Sequence, residues 1–397
     1  MSELRGTPTD DGMIDGFRRL VRDVNEDRRH PFSPGLEGVI AGETAVSCPA
    51  AERYRGYLVS ELADAVSFPE VAFLLINGDL PDADHLADFN AVLSDSGKPD
   101  PSLPAWLESV PFHIPPVDVM CTAISMLGHL DPEPVAGGRD VIARRALRLL
   151  GQLPAVIGAR FRSSHGHTEC AQDSSADYVA NVFRVITGHE PSALQQSALN
   201  ACLIALAENG FDTPTFAARI IMSSSTDFFS ASAAAVAALR GIRHLGGIES
   251  MIRLLEFTVR RSAPEEWLQH QLAGRSSWPG FVSQYENLAD PRTELLRSCC
   301  DGLAMASHSI ELDQAARWME RYLAENHGLK ACPEWLAARL FTALGFEPDL
   351  ILPLIVLARI PGWAAHGLEA ASGGLIRPES RYVGPDSRSL SSIAVVN

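Results

Sequence analysis

Apolar residues recur at helical spacing in segment after segment of this chain. The stretches 58–77, 117–130, 140–151, 193–208, 215–222, 230–239, 249–260, 335–344 and 350–367 each present one apolar face at a 3.6-residue period. Prolines and glycines at 115–116, 136–138, 188–191, 279–280 and 361–362 punctuate them. Only the short stretch from Val39 to Tyr57 reads as a hairpin, and there is no repeat or low-complexity tract. An all-α fold follows. With 397 residues, 46% of them hydrophobic, the chain can bury a large core, and chains of this size divide into two lobes more readily than they enlarge one core.

Composition excludes several classes of function. The N-terminal residues are polar and acidic, without the basic start and apolar run of a secretory leader. The longest apolar stretches, Phe228 to Leu239 and Leu350 to Ala358, fall short of the roughly 20 residues that span a bilayer, so a cytoplasmic protein with no membrane partner is expected. Seven cysteines are scattered, and the adjacent Cys299 and Cys300 make a poor disulfide pair, which fits reduced thiols. A net charge of −16 argues against nucleic-acid binding, and means that an anionic substrate must be met by locally gathered arginines. His165-Gly-His167 with Glu169 and Cys170 lacks the i,i+4 spacing of a helical metal site, so no metal is expected. Glu265-Glu266 and the acids at 9–15 read as helix starts or solvated faces. P-loop, nucleophile-elbow and dinucleotide fingerprints are missing.

One histidine stands out. His244 sits in the turn Ala238-Leu-Arg-Gly-Ile-Arg-His-Leu-Gly-Gly247, directly after the alanine-rich segment Ser230 to Leu239. Alone, a helix-end histidine is more often a cap or a core residue. This turn, however, resembles the one that carries the enol-stabilising histidine of the citrate synthases, and other segments resemble that family in the same order. They are Phe32 to Ala45, Arg53 to Tyr57, Ser67 to Pro81, Thr215 to Arg219, Ala343 to Pro348, Ala358 to His366 and Arg377 to Gly384. The resemblance implies a two-domain helical fold with an active-site cleft between large and small domains. It places an N-terminal extension at 1–31, the large domain at 32–244 and 346–397, and the small domain at 245–345. It also implies a homodimer, for which the apolar segments 117–130 and 215–239 are suitable.

The chemistry of such an enzyme needs a carboxylate base for the methyl proton of acetyl-CoA, a hydrogen-bond donor at the thioester oxygen, and cations for a 2-oxo acid. By resemblance His244 is the donor and Glu334, where the family has an aspartate, is the base. Arg292, Arg359 and Arg377 correspond to the arginines that clamp the acceptor, Arg377 reaching the site of the partner subunit. Guanidinium forks suit carboxylates or phosphonates. Two acceptor-contacting histidines of the family are replaced by Asn209 and Ser283, which donate hydrogen bonds but do not carry a proton near neutral pH as imidazole does. No bound cofactor is implied, acyl-CoA being a co-substrate. The expected reaction joins acetyl-CoA or a close acyl-CoA to an anionic 2-oxo acid such as oxaloacetate. The alternatives are a phosphonopyruvate-using phosphonomethylmalate synthase, or a non-catalytic paralogue acting as a dimer partner or sensor.

Overall fold

The structure, a computed structural model, describes residues 33–36, 38–48, 52–98, 100–134, 138–165, 177–261, 264–273, 278–283, 290–307 and 310–385. The expected extension at 1–31 and the Gly166 to Cys170 part of the histidine cluster lie outside them. Two compact units divide the chain, Met1–Ala45 and Val46–Asn397. In the first, the described regular structure is a single 3-10 turn, Pro34–Leu36.

The second unit opens with a three-stranded antiparallel meander of β1 (Ser47–Cys48), β2 (Arg53–Tyr54) and β3 (Tyr57–Leu58). Helices follow in chain order: α1 (Val59–Ala65), α2 (Phe68–Asn77), α3 (Ala83–Ser96), α4 (Ser102–Ser109), α5 (Pro116–His129), α6 (Arg139–His165), α7 (Tyr178–Thr187) and α8 (Ala193–Leu206). Then come α9 (Thr213–Ser223), α10 (Phe228–Leu239), α11 (Ile248–Thr258), α12 (Pro264–Ala273), β4 (Phe281–Ser283), α13 (Arg292–Ser307), α14 (Ile310–His327), β5 (Leu329–Ala331), α15 (Pro333–Ala343) and α16 (Ile351–Ser372).

The all-α expectation holds, with local differences that have physical causes. The apolar segment 58–77 is two helices. Asn200 on α8 fills the break between them, donating to Val66 O at 3.0 Å and accepting from Phe68 N at 2.8 Å, while Glu70 accepts from Ser67 N at 2.7 Å. Those bonds satisfy groups that a helix end leaves without partners. Helix α6 runs well past the expected 140–151, and α3, α4, α7 and α12 to α14 have no counterpart in the periodicity reading. The antiparallel pair of β4 and β5 is likewise unexpected, since three-residue strands are too short to show alternation.

Helix α16 is the spine of the core. It packs against α9, α6, α2 and α10 and is buried almost from end to end. With the turn before it, Pro348–Ser372 is long and apolar enough to cross a membrane, contrary to the reading that no stretch reaches that length, but all of its most apolar window is buried inside the protein. Pro361 lacks an amide hydrogen. Beside it, Gly362 lies so close to the end of α8 that an added Cβ would stand 2.3 Å from Ala207 O. That contact sets the spacing between α16, which carries Arg359, and the end of α8, which leads to Asn209.

Candidate active site

The segment joining α8 to α9 turns back sharply. Gly210 adopts φ 62°, and its amide donates to both carboxylate oxygens of Glu208 at 2.7 and 2.8 Å. Asp212 is the N-cap of α9: its Oδ1 accepts from Thr215 N at 2.9 Å, as an N-terminal acid should. Its Oδ2 accepts from Asn209 Nδ2 at 3.0 Å and stands 3.9 Å from both Arg359 Nη2 and His244 Nε2.

His244 is held by its backbone, His244 N donating to Gly241 O at 2.8 Å. The turn is tight at Gly246, where a Cβ would meet Arg240 O at 2.3 Å. A quarter of the His244 side chain, 26%, is exposed, so a ligand can reach the ring.

Glu334 occupies the first turn of α15, after Pro333, and is buried. Its Oε1 accepts from Arg359 Nη2 at 2.6 Å. Burial alone would raise the Glu334 carboxyl, but the charges of Arg359 and then Arg292 outweigh it and hold the group below its ordinary value. Arg359, 1% exposed, projects from α16, and its Nε and Nη1 have no hydrogen-bond partner among the described residues.

Arg292 begins α13 and is also buried. Its Nε and Nη2 donate to the Asp290 carboxylate at 3.0 and 2.6 Å, and Nη2 also donates to Asn209 Oδ1 at 2.7 Å. Its Nη1 donates to Glu208 O at 2.8 Å and Ala205 O at 3.3 Å. Tyr54 of β2 donates to the same Ala205 carbonyl at 3.0 Å, and burial pushes its hydroxyl up to about 12.

Six residues therefore meet: Asn209, Asp212, His244, Arg292, Glu334 and Arg359. The other two expected ones lie elsewhere. Arg377 is exposed in the segment after α16, which is tied down nearby by Ile376 N donating to Ser223 Oγ at 3.1 Å. Ser283 ends β4, paired with Leu329 of β5. Asp212 and Asp290 were not singled out from sequence, although an acid before Thr-Pro is a recognisable helix start.

Beside this cluster lies a cavity of about 820 Å³ whose lining mixes Arg297, Arg321 and Lys330 with Asp290 and Glu320 and reaches Pro333. It does not include His244, Glu334 or Arg359 in its walls, but Cys332 and Pro333 immediately precede Glu334. Its size is that of a typical small-molecule site. Among the described residues there is no group of three or more His, Cys, Asp or Glu side chains placed to hold a metal ion.

The family model described as citrate synthase, C-terminal domain, matches residues 35–379. The chain belongs to the citrate synthase family. It is 32% identical to a citrate synthase of Mycolicibacterium smegmatis, over 90% of this chain and 96% of that one. It is also 32% identical to a 2-methylcitrate synthase of Mycobacterium tuberculosis, over 92% and 93%. The citrate synthase of Thermotoga maritima superposes with a TM-score of 0.76 at 27% identity, covering 90% of this chain and 97% of the other. That of Thermoplasma acidophilum, in a ternary complex with carboxymethyl coenzyme A and oxaloacetate, superposes with a TM-score of 0.82 at 21% identity, covering 91% and 99%, and shows likeness of fold. The citrate synthase fold, mostly helical and two-lobed with a cleft, is thus the fold of this chain, and family membership supports condensation of an acyl-CoA with a 2-oxo acid as its type of chemistry.

Proposed function

We propose that this chain enolises acetyl-CoA or a close acyl-CoA, adds it to an anionic 2-oxo acid and hydrolyses the thioester. Glu334 takes the proton from the carbon next to the thioester while His244 hydrogen-bonds the thioester oxygen, where charge develops. The enol carbon attacks the keto carbon, a C–C bond forms, and the former keto oxygen takes up a proton to become a hydroxyl. Water then cleaves the C–S bond, giving a carboxylate and free CoA thiol. Asn209 stands at the acceptor position beside Arg292 and Arg359, which the partner's Arg377 completes. The acyl-CoA approaches through the cavity next to Pro333. The enzyme acts as a cytoplasmic homodimer, with 245–345 as its smaller lobe.

The observation that supports this most is the convergence of Glu334, Arg359, Asp212 and His244 from four separate segments of the chain. The test is thiol release from acetyl-CoA with a panel of 2-oxo acids; absence of release with every acceptor tells against it. A second reading, a non-catalytic paralogue, draws support from the 2.6 Å pairing of Glu334 with Arg359, which lowers the basicity of the carboxylate. Exchange of the acetyl-CoA methyl protons with deuterated solvent separates the two, since only a working base produces it.

A further inference from the structure

One carboxylate on α14 gathers three donors from the two helices next to it. Glu320 Oε1 accepts from Trp335 Nε1 at 2.8 Å and from Arg339 Nη1 at 2.6 Å, both on α15, and its Oε2 accepts from Arg297 Nη1 at 2.8 Å, on α13. Trp335 is the residue after Glu334. It is fully buried and Arg339 is 5% exposed, so losing either bond leaves a buried donor unpaired. Arg339 also donates to Asp313 of α14 through Nη2.

Geometry turns these bonds into a control on the base. Trp335 and Arg339 are four residues apart and share one face of α15, while Glu334 lies about 100° around the axis from Trp335. From there Glu334 Oε1 meets Arg359 Nη2 at 2.6 Å. A side-chain end roughly 5–6 Å from a helix axis moves about 1 Å when the helix turns by about 10°. A misplacement of that size can cost about a hundredfold in rate. Apolar packing, such as the Phe281 ring 4.9 Å from that of Trp335, is not directional and resists such a turn less sharply than two hydrogen bonds to one oxygen.

A second observation points the same way. Glu320 lies in the wall of the cavity that reaches Pro333. An acid there repels an anionic thioester unless its charge is neutralised from inside the protein. The three donors do so, and only 12% of the Glu320 side chain is exposed.

We propose that Glu320 is a positioning residue for the condensation: it fixes the rotation of α15 and thereby the aim of the Glu334 carboxylate. This rests on the condensing function proposed above, with Glu334 as its base.

The experiment compares wild type, Glu320→Gln, Trp335→Phe and the double variant in the full chain, reading kcat and KM by thiol release from acetyl-CoA, the pH profile of kcat, and the melting temperature. Glutamine keeps the size of the side chain but turns one acceptor into a donor facing arginine, and phenylalanine removes the indole N–H while leaving a ring against Phe281. Each single variant should lower kcat about tenfold or more, with the KM for acetyl-CoA within about twofold of wild type. The double variant should be no slower than Glu320→Gln, since both changes break the same tie.

The acid limb of kcat, which reports ionisation of the base in the bound complex, should move to higher pH. The groups facing Glu334 are Arg359 of α16, Arg292 of α13 and Cys332 before α15, with Asp212 of α9 3.9 Å from the same Arg359 nitrogen. Burial raises the Glu334 carboxyl, and the charges of Arg359 and then Arg292 outweigh it, so a carboxylate turned away from Arg359 takes up its proton more readily. Removing the Glu320 charge without any rotation would move the limb the opposite way.

Wild-type kcat in the folded variants, or a lowered kcat with an acid limb unmoved or moved down, overturns the inference and leaves the condensing reading standing. If Glu320→Gln does not fold, Trp335→Phe decides alone, and failure of both to fold makes the network structural and sinks the inference. Absence of thiol release by wild type with every 2-oxo acid overturns the condensing reading instead. The inference is then judged by exchange of the acetyl-CoA methyl protons with deuterated solvent, which the variants should slow about tenfold or more. Equal exchange in wild type and variants overturns it, and so does a wild type that exchanges none.

Discussion

His366 Nε2 lies 2.7 Å from Glu208 Oε1, and both side chains are buried. On the other side of the ring, Arg219 Nη1 is 2.9 Å from Nδ1 and 2.8 Å from Glu369 Oε2. Arginine can only donate, so Nδ1 accepts and the proton sits on Nε2, facing Glu208. Phe211 packs against both, with its ring 5.5 Å from that of His366 and the Arg219 guanidinium 4.4 Å above it. This polar chain pins α16 to the turn that carries Asn209.

Its first consequence is a dependence on pH. Burial alone would raise the Glu208 carboxyl, but hydrogen bonds from His366 and Gly210 bring it down to about 2 from an ordinary 4.5. A depressed value in the folded state stabilises the fold fully above the unfolded value, and this stabilisation is lost as the pH falls through the folded one. Glu208 should therefore contribute stability that is complete above pH ~5 and declines toward pH ~2. Denaturant titrations of wild type and Glu208→Gln at pH 6 and pH 3 should show a stability gap that narrows at the lower pH; a constant gap would assign the effect of the substitution to packing.

Glu334→Gln and His244→Ala should each lower turnover by a factor on the order of a hundred or more, with acyl-CoA binding largely retained, because both groups act mainly in the enolisation transition state. Thiol release and acyl-CoA titration check the two halves of that statement. Near-wild-type turnover in Glu334→Gln would move the base to another carboxylate, with Asp212 the first to examine.

Gly362→Ala should destabilise the protein by about 1–3 kcal/mol, as overpacking of a close-packed core does. The new methyl would stand 2.3 Å from Ala207 O, a backbone atom that cannot swing away. Thermal unfolding measures it, and the same variant should lose activity, since the turn displaced by the clash holds Asn209 and Glu208.

In solution the chain should sediment as a dimer at micromolar concentration. Leu130 and Ile220 lie exposed at or near the ends of the apolar segments expected to pack across a two-fold axis, and Arg377 is exposed. Monomer alone would contradict the role proposed for Arg377, and Arg377→Ala should weaken acceptor use without lowering the melting temperature.

Much of the helical framework was legible because amphipathic periodicity is a local signal. What escaped depended on distant partners. The break between α1 and α2 is stabilised by Asn200, 132 residues beyond Phe68. Glu334, Arg359 and His244 were found through their resemblance to a family pattern, and they lie close enough to share one site. The saturation of Arg292 was not legible: Asp290 is two residues away, but Asn209 and the carbonyls of 205 and 208 are more than eighty residues away. Asp212 escaped for the opposite reason, its helix-capping role being ordinary enough to hide its position between a histidine and an arginine.

Strands β4 and β5 pair Phe281 with Ala331, Val282 with Lys330 and Ser283 with Leu329, and Cys332 N then donates to Gly280 O at 3.0 Å. Glu334 follows two residues later. There is no slack between the strand that bears Ser283 and the carboxylate proposed as the base, so a shift of the first is transmitted to the second like motion along a short lever. The segment 279–283 transplanted from a relative would therefore not behave as an independent cassette. It would reset the reach of residue 334 as well, and the two have to be changed together.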